Sequence, residues 1–501
     1  MPSKENIAAS RTLIGKLASG ALWVITGMFI ARLLGYIIRA LIARHFGGEL
    51  YGYLTTSQSL MVMTTLIALM GLSTGLSRQL AFHLASGNDD EASKSVISAY
   101  RMGIISSIPL ASLLFFLAPE IASHIFKDIN LIPYLRVFAV AVPFYLFLEL
   151  NSSVLKGLKR MWEFSFYHDV LRFCLILIFI VAFMLLKLSF LWIVSAYLIS
   201  FILIDLALFV VVSKRFPFTV GIFSRTGHTG RDLFKFSIPL MFSNIFWILL
   251  FRTDVLLIGG FLDQLQVGLY SAAVPIAQLI LTMRQAFTPI ILPLLTELVA
   301  NKQKNELSLL YFLSAKWTTL FALPVFLSMV VAPEFFIQFV FGKEYLAASS
   351  SLRIISIGYF IHTIVGPSSN MVVIIGKSRL AMINSIIAFC LSITLNIYLI
   401  PAMGIEGAAL TAVITFLLYN LLCLVQVYAF IKVHPFRLLH IKFIVAGLFS
   451  SIALYYLMQY TAPLFALCCF FLIYFSLLFL FKAIKEEDKL ILNMIAGKFK
   501  H

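Results

Sequence analysis

Residues 246–261 read FWILLFRTDVLLIGGF, an apolar run broken only by Arg252 and Asp254. With its apolar flanks the run is long enough to cross about 30 Å of hydrocarbon as a helix. Charge near the middle of such a helix costs roughly 2.5–3.5 kcal/mol per residue on insertion scales. Two charges in this place therefore need a reason.

The stretch is representative of the chain. Of 501 residues, 61% are hydrophobic and 12% charged, with a mean hydropathy of +0.99, whereas a soluble domain carries about 25% charged residues. Apolar segments recur from near residue 20 to residue 481 and divide into fourteen spans, the seventh at 233–259. They are continuous rather than alternating, which selects helices over a closed barrel. The expected fold is an all-α integral membrane protein of about 14 transmembrane helices.

Lys and Arg set the orientation. One side collects the N-terminal cations, Arg78, Lys94, Arg101, Lys156, Lys159, Arg160, the 214–231 cluster, Lys302, Lys304, Lys377, Arg379, Lys432 and the C-terminal lysines; the other holds only Lys127, Lys187 and Lys343. The richer side is expected to be cytoplasmic, with both termini inside and the protein in the plasma membrane. The net charge of +16 is spread over the cytoplasmic segments in the manner of this rule, which argues against a nucleic-acid partner. The first apolar run is too long for a signal-peptide core and is expected to be retained. Cys174, Cys390, Cys423, Cys468 and Cys469 all fall in spans without metal-ligand spacing, and read as small membrane-core residues.

The stretch also has a counterpart. IIRALIARHFGGELYGYL (37–54) parallels TDVLLIGGFLDQLQVGLY (253–270), with Gly52 over Gly268 and, after a one-residue insertion, Arg39 opposite Asp254. At nearly the same offset VLKGLKRMWEFSFYHDVLRFCLILIFI (154–180) parallels VIIGKSRLAMINSIIAFCLSITLNIYL (373–399). Duplicated halves of six spans each keep the same topology, giving a parallel pseudo-twofold repeat. The expected organisation is an N-lobe at 1–212, a cytoplasmic linker at 213–231, a C-lobe at 232–432, two extra C-terminal helices at 433–485 and a cytoplasmic tail at 486–501.

Enzyme motifs are scarce. GKS at 376–378 lacks the upstream glycine of a phosphate-binding loop, and no HExxH occurs, so no ATP site, metal or cofactor is expected and the chain reads as no enzyme. What remains are ionisable residues inside spans, which should face an interior. Arg32 and Arg39, seven apart, share a helix face. Arg39 and Arg252 lie in matched helices, and Arg284 lies deep in the eighth span. Together they make a cationic chamber suited to an anionic substrate. Arg44, Arg136, Lys316 and Arg353 are expected to snorkel to an interface, and Asp169 to pair with Arg172 on one helix. Asp254, Asp205 and Glu149 are candidates for ion coupling, with H+ or Na+ as the ion, or for structural pairing, Asp254 with Arg39.

LIARHFGGELYGYL (41–54), GLSTGLSRQLA (71–81), RTDVLLIGGFL (252–262) and LNIYLIPAMGIEGAALTAVI (395–414) resemble polysaccharide-biosynthesis flippases of the Wzx type, in the multidrug/oligosaccharidyl-lipid/polysaccharide (MOP) superfamily, which also holds the lipid II flippase MurJ and the MATE antiporters. The resemblance implies that two lobes rock about a central cavity and move a polyprenyl (pyro)phosphate-linked saccharide across the membrane, alongside membrane lipid and glycan-assembly proteins. It makes Arg32, Arg39, Arg252 and Arg284 the head-group ligands and gives Arg78 a role in uptake. An ion-coupled MATE-type antiporter of small molecules is the alternative, favoured by carboxylates where this chain has arginines. A membrane glycosyltransferase or polymerase is a third reading, disfavoured by short, nearly bare external loops.

Overall fold

The computed structural model describes residues 4–216, 245–246 and 248–483, with the side chains of residues 4–22, 25, 289 and 290 outside that description. Most of the expected linker, the first half of the seventh span and the tail at 486–501 lie outside the described residues. Within them the chain is all-α, with no strand. Among the described residues twelve helices are long and apolar enough to cross a membrane. One of these, Thr26–Leu69, has 44 residues, about twice what a bilayer requires. It breaks at Gly47 (φ 82°, ψ 175°), in a region essentially confined to glycine, and so supplies the first two expected spans. The seventh is represented by its second half, Thr253–Phe261.

The chain forms two compact units, Met1–Gly268 and Leu269–His501. In the first, Ile132–Gly157 is central, packing on Asp89–Phe116, Phe190–Ser213, Leu72–Ala85 and the first helix. Its buried Leu146, Leu150 and Val154 join Leu76, Leu80 and Val96 in one apolar cluster. In the second, Ile405–Ile431 packs on Ser349–Ile364 and Ser378–Met403. The last two spans, Leu439–Tyr460 and Pro463–Leu480, pack on each other and against Lys304–Val331. Their remaining faces are apolar and open: Phe479 is 83% exposed and Leu472 68%, a surface suited to lipid and not to water.

Several helices end on a lysine in the left-handed conformation where glycine is usual: Lys159, Lys187, Lys302 and Lys482 have φ of 58°, 52°, 55° and 48°. At the first, the Lys159 N–H bonds the Lys156 carbonyl (3.0 Å) and the Arg160 N–H bonds the Leu155 carbonyl (2.9 Å). The strained backbone places an ammonium at the negative end of the helix and within reach of the interface.

Gly52 and Gly268, aligned in the expected repeat, meet within the first unit. A Cβ on Gly52 would overlap the Gln264 carbonyl, and a Cβ on Gly268 would overlap the Gly48 carbonyl. The contact is reciprocal: each glycine packs on the residue four positions before the other. Small residues spaced by four let two membrane helices touch backbone to backbone. Beside the crossing, Thr56 Oγ1 donates to Gln264 Oε1 at 2.7 Å, fully buried. Gly52→Val and Gly268→Val are each expected to lower thermal stability in detergent by at least 1–3 kcal/mol, the usual cost of overpacking. Gly35→Ala, whose Cβ would make ordinary contact with Phe173 at 3.5 Å, should be neutral or stabilising.

Candidate functional site

FWILLFRTDVLLIGGF is not one continuous helix. Phe251 and Arg252 form a turn whose N–H groups bond three residues back, to Ile248 (3.1 Å) and Leu249 (3.0 Å). Helix resumes at Thr253, whose hydroxyl donates to the Leu249 carbonyl at 2.7 Å. Asp254 is buried in the first turn of the new helix, where the positive helix end favours a carboxylate. Arg252 takes the N-cap position and points into a cavity. The break is the reason for the two charges.

That cavity, of about 330 Å³, lies within the first unit and is lined by Arg252, Glu149, Tyr145, Thr65, Gly71 and Ser73 with apolar neighbours. A second break forms part of its wall: Met70 (φ 45°) and Gly71 (φ 73°) separate the helices ending at Leu69 and starting at Leu72. Non-helical backbone at membrane depth is tolerated where it lines such a space.

Tyrosines connect the arginines. Arg32 and Arg39, both half-buried, act electrostatically on Tyr36 between them. Arg39 and Arg252 both act on the buried Tyr51 hydroxyl, and Arg252 and Arg172 both act on Tyr145. Arg39 thus shares Tyr36 with Arg32 and Tyr51 with Arg252. Arg78 is exposed on Leu72–Ala85.

Glu149 lines the same cavity as Arg252. His168 lies between two carboxylates, with Nε2 3.2 Å from Glu149 Oε1 and Nδ1 2.8 Å from Asp169 Oδ1. The expected pairing of Asp169 with Arg172 assumed α-helical spacing, whereas Ser165–Leu171 is a π-helix, whose wider turn changes which side chains meet and which is frequent at functional sites. Asp205 is held elsewhere, in a buried triad: the Tyr100 hydroxyl donates to Asn151 Oδ1, and Asn151 Nδ2 donates to Asp205 Oδ1 at 3.3 Å.

In the second unit, Arg284 donates to His362 Nε2 at 2.7 Å and to the Gly366 carbonyl at 3.5 Å. A guanidinium only donates, so Nε2 accepts, and the His362 Nδ1–H donates to Asn420 Oδ1 at 3.1 Å. Asn420 Nδ2 in turn bonds the Phe416 carbonyl at 2.6 Å. Gly366 (φ 65°) lies in the break between Ser349–Ile364 and Ser368–Ile374. No carboxylate among the described residues bonds Arg284. A poorly solvated cation held only by neutral acceptors is suited to an outside anion.

Other expectations divide. Arg44, Arg136 and Arg353 are exposed, Arg136 over the Phe115 ring and Arg353 beside Glu334. Lys316 is 1% exposed, so it is a core residue and does not snorkel: its helix is covered on two sides by Ser349–Ile364 and Leu439–Tyr460. GLSTG at 71–75 has the Gly-x-Ser-x-Gly spacing of a nucleophile elbow, but that motif needs a strand before the serine, and here a helix ends before the break. Tyr36, Tyr51, Tyr145, His168 and Asn420 were not selected from sequence, since single aromatic or amide residues in apolar spans carry no distinguishing pattern.

Residues 17–299, more than half of the chain, match the family described as polysaccharide biosynthesis protein, and residues 239–398 match the MatE family. An uncharacterized membrane protein of Methanocaldococcus jannaschii is 23% identical over 87% of this chain and 89% of its own. A probable low-salt glycan biosynthesis flippase, Agl15, of Haloferax volcanii is 28% identical over 37% of this chain and 39% of its own. Among solved structures, the lipid II flippase MurJ in an inward closed conformation superposes with a TM-score of 0.75 at 18% identity, over 92% of this chain and 98% of that one. An inward-facing MATE family transporter gives 0.60 at 16%, over 79% and 98%. These likenesses show the fold. The chain belongs to the polysaccharide biosynthesis protein family, within the MOP superfamily.

Proposed function

We propose that this family member is a flippase carrying a polyprenyl (pyro)phosphate-linked saccharide from the cytoplasmic to the outer leaflet of the plasma membrane by alternating access, for cell-surface glycan assembly. The observation that carries the reading is Arg284, a shielded guanidinium whose partners among the described residues are one imidazole nitrogen and one carbonyl. Arg252, with Arg39 and Arg32 behind it, offers a second cationic position in the first unit. Guanidinium forks match phosphate oxygens bidentately, and a water-lined route spares the sugar about 30 Å of hydrocarbon while the prenyl tail stays in lipid. Arg78 serves uptake at the cytoplasmic rim. Nothing in the motifs supplies ATP hydrolysis or bond-making chemistry, so the driving force is an ion gradient, the membrane potential or consumption of product.

A second reading, an ion-coupled antiporter of the MATE type, draws on the carboxylates around His168 and on Asp205, whose Oδ2 is buried without a hydrogen-bond partner. Reconstitution separates the two. Transfer of a polyprenyl diphosphate sugar between leaflets is expected; its absence, together with gradient-driven efflux of an organic cation, would transfer the assignment to the antiporter. Orientation is checked independently. In a cysteine-free background, Lys187→Cys should react with an impermeant maleimide on intact cells, and Lys159→Cys only after permeabilisation. The reverse pattern would invert the topology.

A further inference from the structure

We propose that the first unit holds a separate site for the phosphate headgroup of an anionic phospholipid, at the basic ends of Ile132–Gly157 and Phe190–Ser213. A concavity of about 590 Å³ lies there, with Arg160, Glu163, Lys214 and Arg215 on its polar side and Trp162, Phe166, Tyr167 and Val211 as its other lining. The site is independent of what the protein transports.

Charge accounting selects the ligand. Arg160 is paired with Glu163. Arg215 directs one terminal nitrogen to both oxygens of Asp89, at 3.2 and 3.1 Å. Lys214 has no acidic partner among the described residues. After the two pairs cancel, the Lys214 ammonium leaves about one unit of positive charge among the described residues of the hollow. That matches a phosphodiester, which carries one negative charge, better than a diphosphate, which carries more. All three cations are exposed, and they share one hollow with the Trp162 and Phe166 rings.

The apolar side continues into the bilayer. Leu203, Leu206 and Val210 are 40%, 59% and 52% exposed and recur at i, i+3 and i+7, one face of the helix. That stripe runs up to Lys214 one turn later, so an acyl chain lying along it delivers its headgroup to the ammonium. Trp162 is 49% exposed, with ring centroids 4.7 Å from Trp23 and 5.3 Å from Phe166. Exposed tryptophans of this kind sit at the headgroup level, and basic clusters there attract anionic lipid.

The test uses the full-length protein in nanodiscs and takes as signal the tryptophan emission lost on Trp162→Phe. Brominated phosphatidylglycerol is expected to quench that emission at about tenfold lower mole fraction than brominated phosphatidylcholine. Lys214→Gln, an exposed substitution that should leave folding intact, is expected to reduce the preference to within about twofold, and Lys214→Gln with Arg215→Gln to abolish it. Equal quenching by both lipids, or an unchanged preference in Lys214→Gln, would overturn the proposal. Displacement of brominated phosphatidylglycerol by millimolar inorganic phosphate would reassign the hollow to a soluble phosphate and overturn the lipid assignment.

Discussion

Arg284→Ala is expected to lower transfer of a phosphate-linked lipid by about 100-fold or more while leaving folded protein in the membrane. The reason lies in its partners. Because Arg284 bonds His362 Nε2 and the Gly366 carbonyl and, among the described residues, no carboxylate, truncation strands no described opposite charge, and the stability cost stays small. Truncating one member of a desolvated charge pair typically costs about 2–5 kcal/mol of binding, which falls on the substrate phosphate. Arg284→Lys keeps the charge but loses the fork, and should retain about a tenth of the activity. His362→Leu removes the acceptor that aims the guanidinium. It should give an intermediate loss that adds little to Arg284→Ala, the non-additivity of residues acting as one unit. Full additivity would separate His362 from the site. Leaflet-transfer rates, normalised to folded protein, provide the measurement.

Arg252→Ala and Arg39→Ala are expected to abolish export with normal membrane insertion. Arg252 stands at a helix break and lines the cavity, and both arginines act on Tyr51. If the arginines served only structure, loss of transport would track loss of folded protein, which size-exclusion profiles and melting curves would reveal. Normal glycan export by both variants would contradict the cationic site.

Much of this architecture is legible in the sequence because membrane physics leaves strong marks. Length, apolar run and lysine asymmetry determine the number of spans to within the merged helix at Gly47 and the partly described seventh span. The weak match of Gly52 to Gly268 acquires a physical meaning in the reciprocal packing of those two segments. Individual side chains are less legible. Arg252 and Asp254 stand out as charges in an apolar run, yet the helix break that accommodates them has no glycine or proline to announce it. The π-helix at Ser165–Leu171 replaces the expected Asp169–Arg172 pair with His168 between two acids, because local spacing presumes α geometry. Lys316 misled for another reason: distance along the chain from a span end does not report what covers that helix from outside. Asp205, like Glu149 an ionisable group inside a span, joins Asn151 and Tyr100, partners that composition alone does not name.

The central claim is that arginines hold a lipid-linked phosphate during transfer. It is tested most directly in proteoliposomes offered two lipids of equal chain and sugar, one with a diphosphate linkage and one with a neutral linkage, with wild-type protein and Arg252→Ala/Arg284→Ala side by side. Rapid transfer of the diphosphate lipid by wild type alone, with the neutral lipid left in place, is the expected result. Equal transfer of both lipids by wild type, or undiminished transfer of the diphosphate lipid by the double variant, would contradict it.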